Sequence, residues 1–367
     1  MPEIRGLTGL RGVAAILVVW FHMRDALEAR GLLVDLPLLA ARFIDGSKSV
    51  DVFFVLSGFI MALSYRKWFQ QTVPANLYFS FLSRRFARIY PLHLFMLALV
   101  VALVATARVM NAATVNGLDR FDYAELIPYL LLIQAWGPFT QGVGEWNPPA
   151  WSISIEALAY LFFPFLMWLI VRFKGSGAWL LLSITIAIGF SLNAVTTWDM
   201  SGFGACARGL SEFALGCVTA QFYQSRLSTW FQSNLGSWVA MLGLIAAFAL
   251  TPVSGFIIAV ASAAALLALC GSNPSSRFFS WRPVYFLGEI SYSIYLGHFI
   301  FMSICWRLVS VNWMQTSTLA AAAGILLVNL LIIGFATATY YGIERPGRDL
   351  LTGQRKRTTP TSATALG

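Results

Sequence analysis

An arginine and a histidine, Arg11 and His22, bracket the apolar run Gly12-Val13-Ala14-Ala15-Ile16-Leu17-Val18-Val19-Trp20-Phe21. At about 100° per residue their spacing is nearly three turns of helix, so both side chains share one face, roughly 16 Å apart. The segment is long and apolar enough to cross a membrane, with Arg11 near one surface and His22 well inside. An imidazole there can take a proton from a hydroxyl, and a guanidinium can neutralise an anion. Ionisable groups within a bilayer are costly and usually face a bundle interior or a water-filled cavity. An anchoring arginine and a histidine bonded to a neighbouring helix would satisfy this segment equally.

Four more stretches carry polar groups in apolar surroundings. Asp51 stands at the outer end of Asp51-Val52-Phe53-Phe54-Val55-Leu56-Ser57-Gly58-Phe59, as an interface carboxylate or part of a polar cavity. Ser57 and Gly58 are expected to serve close helix packing. Arg84, Arg85 and Arg88 form one basic helical face, suited to phosphate and equally to positive-inside anchoring. His93, one turn further on, is expected to pack. Ser152 and Glu156, four residues apart after Pro148-Pro149, share a face about a turn inside the outer surface; a carboxylate there must be paired or solvated. Ser291, Tyr295 and His298 make a polar stripe at helical spacing, with His298 near mid-membrane, bonded to another helix or touching substrate.

The elements that must position these groups are membrane helices. The 367 residues are 58% hydrophobic and 11% charged, with mean hydropathy +0.71. Soluble domains carry about 25% charged residues, so no separate soluble catalytic domain is expected. Apolar runs of spanning length fall at about 8–27, 49–65, 86–107, 151–171, 178–195, 206–224, 236–250, 254–271, 285–306 and 319–341. The short run 126–136 is expected to be re-entrant or interfacial. With the N-terminus inside, this arrangement puts 17 of the 25 basic residues on the inner side. The net charge of +9 is therefore an orientation signal, and no nucleic-acid partner is expected. The expectation is an all-α polytopic bundle of about ten transmembrane helices with both termini cytoplasmic. It comprises a membrane domain over 1–345 and a disordered, basic cytoplasmic tail over 346–367. The four cysteines (Cys206, Cys217, Cys270, Cys305) and three histidines form no metal-ligand spacing, and no metal is expected.

Taken in order, these motifs resemble acyltransferase family three, the integral-membrane O-acyltransferases of bacterial surface glycans, lipid-linked sugars and some small molecules. The matching residues are Arg11 and His22, Phe53 to Phe59, Arg85 and Arg88 followed by Ile89-Tyr90-Pro91, Trp151 to Glu156, and Ser291 to His298. The chain departs from the family at Thr8, where aspartate is common, and at Ala157, where a second glutamate often follows Glu156. No esterase-like domain follows the last span, so the stand-alone form is expected. The resemblance implies a cytoplasmic acyl-CoA donor, most often acetyl-CoA, with no permanently bound cofactor, and a glycan or glycolipid acceptor. It implies catalytic roles for His22, as base or covalent acyl carrier, with Arg11 holding the donor and Glu156 orienting His22 or the acceptor. Substrate contacts are expected from Arg84, Arg85, Arg88, Asp51, Ser152, Tyr295 and His298, in the bacterial cytoplasmic membrane. A proton-coupled transporter of an acylated or sugar-like solute is the competing reading. Such transporters often show internal repeats, and this chain shows none.

Overall fold

The computed structural model describes residues 3–29, 46–110, 118–137, 146–195, 200–249, 255–308 and 311–353. These residues form helices joined by short turns, with no strand among them. The long helices are α1 (Arg5–Glu28), α2 (Ser49–Tyr65) and α3 (Ala75–Val109). A six-residue α4 (Leu126–Leu131) precedes α5 (Trp151–Ile170), α6 (Ser176–Val195) and α7 (Gly202–Thr219). Next come α8 (Arg226–Gln232), α9 (Asn234–Ala249), α10 (Phe256–Leu269), α11 (Pro274–Phe279) and α12 (Arg282–Glu289). The chain ends with α13 (Ser291–Leu308), α14 (Val311–Met314), α15 (Thr318–Thr339), a π-turn at Tyr340–Glu344 and α16 (Arg345–Leu351).

Nine of the ten apolar runs each overlap one long helix, and the run 285–306 straddles α12 and α13. By length and apolarity, however, the described helices give six spans, or seven if α8 and α9, bent by 84°, count as one. The shortfall from ten has a physical reason. Helix α7 carries Arg208 and Glu212, α13 carries the Ser291, Tyr295 and His298 stripe, and α10 has only 14 residues. Polar side chains turned inward lower the mean hydropathy of the very helices that build the interior. The outer faces are apolar: α6 buries only Ala178 and Gly189 and exposes Leu180, Ile184 and Ile188. Apolar surface of this extent suits lipid rather than water, and the chain is a membrane protein.

Two close approaches set the interior. A Cβ on Gly12 would collide with the backbone of Leu287 and Gly288, and one on Gly288 with Thr8. Small residues here let α1 lie directly on α12. In the same way Gly58 meets the backbone of Phe213 and Gly216 meets Val55, drawing α2 onto α7. The stretch 126–136 does not cross. Helix α4 ends at Leu132, whose φ of 58° is left-handed, and the following turn is tied to α5. Gln134 donates to the Ala150 carbonyl at 2.9 Å, and Ser154 Oγ donates to Leu132 O at 2.8 Å and accepts from Ala135 N at 3.2 Å. Non-helical backbone inside a bundle needs such internal partners. Of the stretch 346–367, residues up to Leu351 continue as α16, and residues 354–367 lie outside the described residues. The four cysteines are free thiols.

Candidate active site

A cavity of about 170 Å³ lies where α1, α2, α3, α5 and α13 meet. Of the polar residues singled out in the sequence, Arg11, Ser57, Arg85, Arg88, Ser152, Glu156, Ser291 and Tyr295 line it. Its apolar wall includes Phe53, Phe54, Ile60 and Met61. His22, His298, Asp51 and Arg84 do not line it. Arg84 is exposed, its guanidinium 5.8 Å from the Trp68 ring centroid, so the expected face of three arginines divides into two inward and one outward. Among the described residues, no group of His, Cys, Asp and Glu comes together as a metal-ligand set.

The inward arginines are held by neighbours. Arg11 donates through Nε and Nη2 to the Gly288 carbonyl at 3.3 and 2.9 Å, a contact that the Gly12–Gly288 approach makes possible. Arg85 donates to the Tyr65 hydroxyl at 2.9 Å and to the Met61 sulfur at 3.4 Å, while its buried Nε has no acceptor. Arg88 pairs with Glu344 at 3.2 Å; the carboxylate is fully buried and also accepts from Ser293 Oγ at 2.8 Å. Glu344 was not singled out in the sequence. Its signal was a carboxylate directly after the last apolar run, where basic residues otherwise collect.

Glu156 sits on the cavity wall. Its Oε1 accepts from Ser57 Oγ at 2.7 Å and from Tyr160 OH at 2.6 Å. Ser57 therefore does more than permit packing. Glu156 is thus held by Ser57 and Tyr160, while His22 is bonded to other partners. His22 is half-buried, with Nδ1 3.1 Å from the Val18 carbonyl oxygen and 3.2 Å from His298 Nε2. His298 is fully buried, and its Nδ1 lies 2.6 Å from the Tyr295 carbonyl oxygen. Tyr295 OH reaches back to the cavity, 2.8 Å from Ser152 Oγ and 3.1 Å from the Pro149 carbonyl oxygen to which it donates. Ser152, Tyr295, His298 and His22 are thus linked in turn, the step from Tyr295 to His298 passing through the Tyr295 backbone carbonyl. His93 is buried, 2.9 Å from the Tyr129 carbonyl oxygen through Nε2.

Asp51 belongs to a separate buried cluster. Its Oδ1 accepts from Arg208 Nε at 2.7 Å and also from Arg208 Nη2. Arg208 lies 3.7 Å from Glu212 and over the Trp151 ring, 5.5 Å from its centroid. Sequence reasoning missed Arg208 and Glu212. Two charges four residues apart inside an apolar run were the available signal.

A family model described as an acyltransferase domain, that of acyltransferase family three, matches residues 4–338. An acyltransferase named MdmB from Streptomyces mycarofaciens is 31% identical over 99% of this chain and 96% of its own length. The O-acetyltransferase OatA of Staphylococcus aureus (strain NCTC 8325 / PS 47) is 26% identical over 80% of this chain, which spans half of OatA. A protein from the picA locus of Rhizobium radiobacter is 34% identical over 41% of this chain and 75% of its own length. No solved structure matches at a significant level. With the family model covering nearly the whole length and all its motif residues in helices around one interior, the chain belongs to acyltransferase family three.

Proposed function

We propose that this protein transfers an acyl group, acetyl in the first instance, from a cytoplasmic acyl-CoA to a hydroxyl of a glycan or lipid-linked sugar. The observation that carries this reading is the convergence of Arg11, Arg85 and Arg88 on one cavity. On the wall itself three arginines face one carboxylate, Glu156, with Glu344 behind Arg88 and Glu3 near Arg11, an arrangement that suits an anionic donor. The name of OatA supports transfer of acetyl to oxygen. Ligand pockets for drug-sized molecules measure about 300–1,000 Å³. A cavity of about 170 Å³ therefore suits only part of the donor, its phosphates at the arginines and its adenosine outside.

In the reaction His22 takes the proton of the acceptor hydroxyl as its oxygen attacks the thioester carbonyl. The C–S bond then breaks, the coenzyme leaves as thiolate, and the imidazolium returns the proton to sulfur. Atoms and charges balance without a metal. The bilayer arrangement in this reading has ten spans, both termini cytoplasmic, in a bacterial cytoplasmic membrane. Cysteine introduced at Ser176 should label only from inside, and at Thr140, outside the described residues, only from outside; the reverse pattern sinks this topology.

Donor recognition is tested with Arg88→Ala combined with Glu344→Gln, which removes the pair without leaving a buried charge alone. Hydrogen bonds to charged groups contribute about 1.5–3 kcal/mol. Coenzyme A binding, measured by calorimetry in detergent, is expected to weaken roughly tenfold or more. Binding as tight as wild type would reduce the arginines to topology signals. Consumption of acetyl-CoA by the purified protein with a glycan acceptor separates the enzyme from a transporter.

A further inference from the structure

The contacts around His22 distinguish its two ring nitrogens. His298 Nδ1 lies 2.6 Å from the Tyr295 carbonyl oxygen. Two lone pairs cannot face each other at that distance, so this nitrogen carries a proton. A neutral imidazole has one N–H, so His298 Nε2 is an acceptor. His22 Nδ1 stands between this acceptor at 3.2 Å and the Val18 carbonyl oxygen at 3.1 Å. Both neighbours accept, so His22 Nδ1 is the donor. The hydrogen-bond network thereby fixes the tautomer.

We infer that His298 is a positioning residue, which holds His22 with its proton on Nδ1 and its Nε2 lone pair free for the acceptor hydroxyl. This rests on the reading of His22 as the reacting base. The surroundings support it. His298 is fully buried in the wall of α13, so water does not replace it as acceptor. The His22 ring is flanked edge-on by Phe21 at 5.0 Å and Phe299 at 5.6 Å between centroids, which opposes a flip exchanging the nitrogens. The Tyr295 hydroxyl, bonded to Ser152 and Pro149, fixes this part of α13 against α5. When His22 takes a proton on Nε2, its Nδ1–H still points at a neutral acceptor, which favours the imidazolium. His298 itself takes no proton and touches no substrate. A second histidine facing the first gives the base a defined orientation that Glu156, held by Ser57 and Tyr160, does not supply.

The conservative variant separates positioning from packing. In His298→Gln the amide oxygen reaches the place of Nε2; in His298→Asn the side chain is too short, and in His298→Phe there is no acceptor. His298→Asn and His298→Phe are expected to lower kcat by about 10 to 100-fold, part of a general base's contribution, with KM for acetyl-CoA unchanged. His298→Gln should stay within a few-fold of wild type. The tautomer is read directly by nitrogen-15 NMR of histidine-labelled protein, which has only three histidines to assign. Wild-type His22 Nε2 should show the shift of an unprotonated nitrogen, and His298→Phe should move it towards the protonated one. A protonated Nε2 in the wild type, or normal kcat in folded His298→Phe, overturns the inference. Should every variant misfold, the wild-type spectrum decides. Full turnover in His22→Ala would remove the base reading instead, a separate result from the nitrogen spectrum.

Discussion

Replacing His22 with alanine should lower acyl transfer per folded molecule by about 10² to 10⁴-fold, the usual contribution of a general base, while donor binding stays unchanged. Among the described residues His22 is bonded through Nδ1, and it does not line the cavity. Coenzyme A is assigned to Arg11, Arg85 and Arg88, so its affinity should not follow the histidine. Alanine is a good helix former, and the change removes a costly polar group from a membrane helix. The variant should therefore insert and purify normally. The deciding measurement is acetyl transfer normalised to detergent-stable protein, with coenzyme A binding measured on the same preparation. Normal turnover would end the mechanism and make the histidine pair a structural contact. A covalent acyl carrier would show the same loss, but wild-type protein mixed with acetyl-CoA without acceptor would then accumulate acetylated His22, visible by rapid-quench mass spectrometry.

Much of this interior was legible in the sequence because its polar residues stand out against apolar runs. Arg11, Arg85, Arg88, Ser152, Glu156 and Tyr295 were each marked by an ionisable or hydroxyl group where only apolar side chains are expected, and all six line one cavity. What stayed hidden was pairing. Helical spacing shows which residues share a face of one helix, but not which face another helix presents. His22 and His298 lie 276 positions apart, and only the fold brings them within 3.2 Å. Glu344 was passed over because it sits past the last apolar run, at the very end of the expected membrane domain. Length and apolarity recover only six or seven of the ten expected spans for a related reason. Apolarity identifies helices that face lipid, and α7 and α13 carry their polar groups inward, so their composition understates their place in the bundle.

Arg208→Met should be the most destabilising single change in the interior, by about 3–5 kcal/mol, the usual cost of removing one partner of a buried ion pair. Asp51 and Glu212 are both fully buried, and the guanidinium of Arg208 lies against both. Without it two buried carboxylates would lose the guanidinium that lies against both, leaving Lys48 as a cation acting on Asp51. The loss should appear as a lower midpoint of thermal unfolding in detergent, and an unchanged midpoint would refute the cluster as a structural unit. Removing all three charges together, as Asp51→Asn, Arg208→Met and Glu212→Gln, asks a different question. Buried ion pairs replaced by neutral groups of similar size are often neutral or stabilising, so the triple variant should regain most of the midpoint. Its activity then decides what the cluster is for. Arg208 lies over Trp151, next to Ser152 on the cavity wall, so the cluster props the start of α5 from behind. A stable and active triple variant makes it a scaffold holding α2, α5 and α7 together. A stable but inactive one shows that the charge itself is needed, either to place Trp151 and Ser152 or to meet the acceptor.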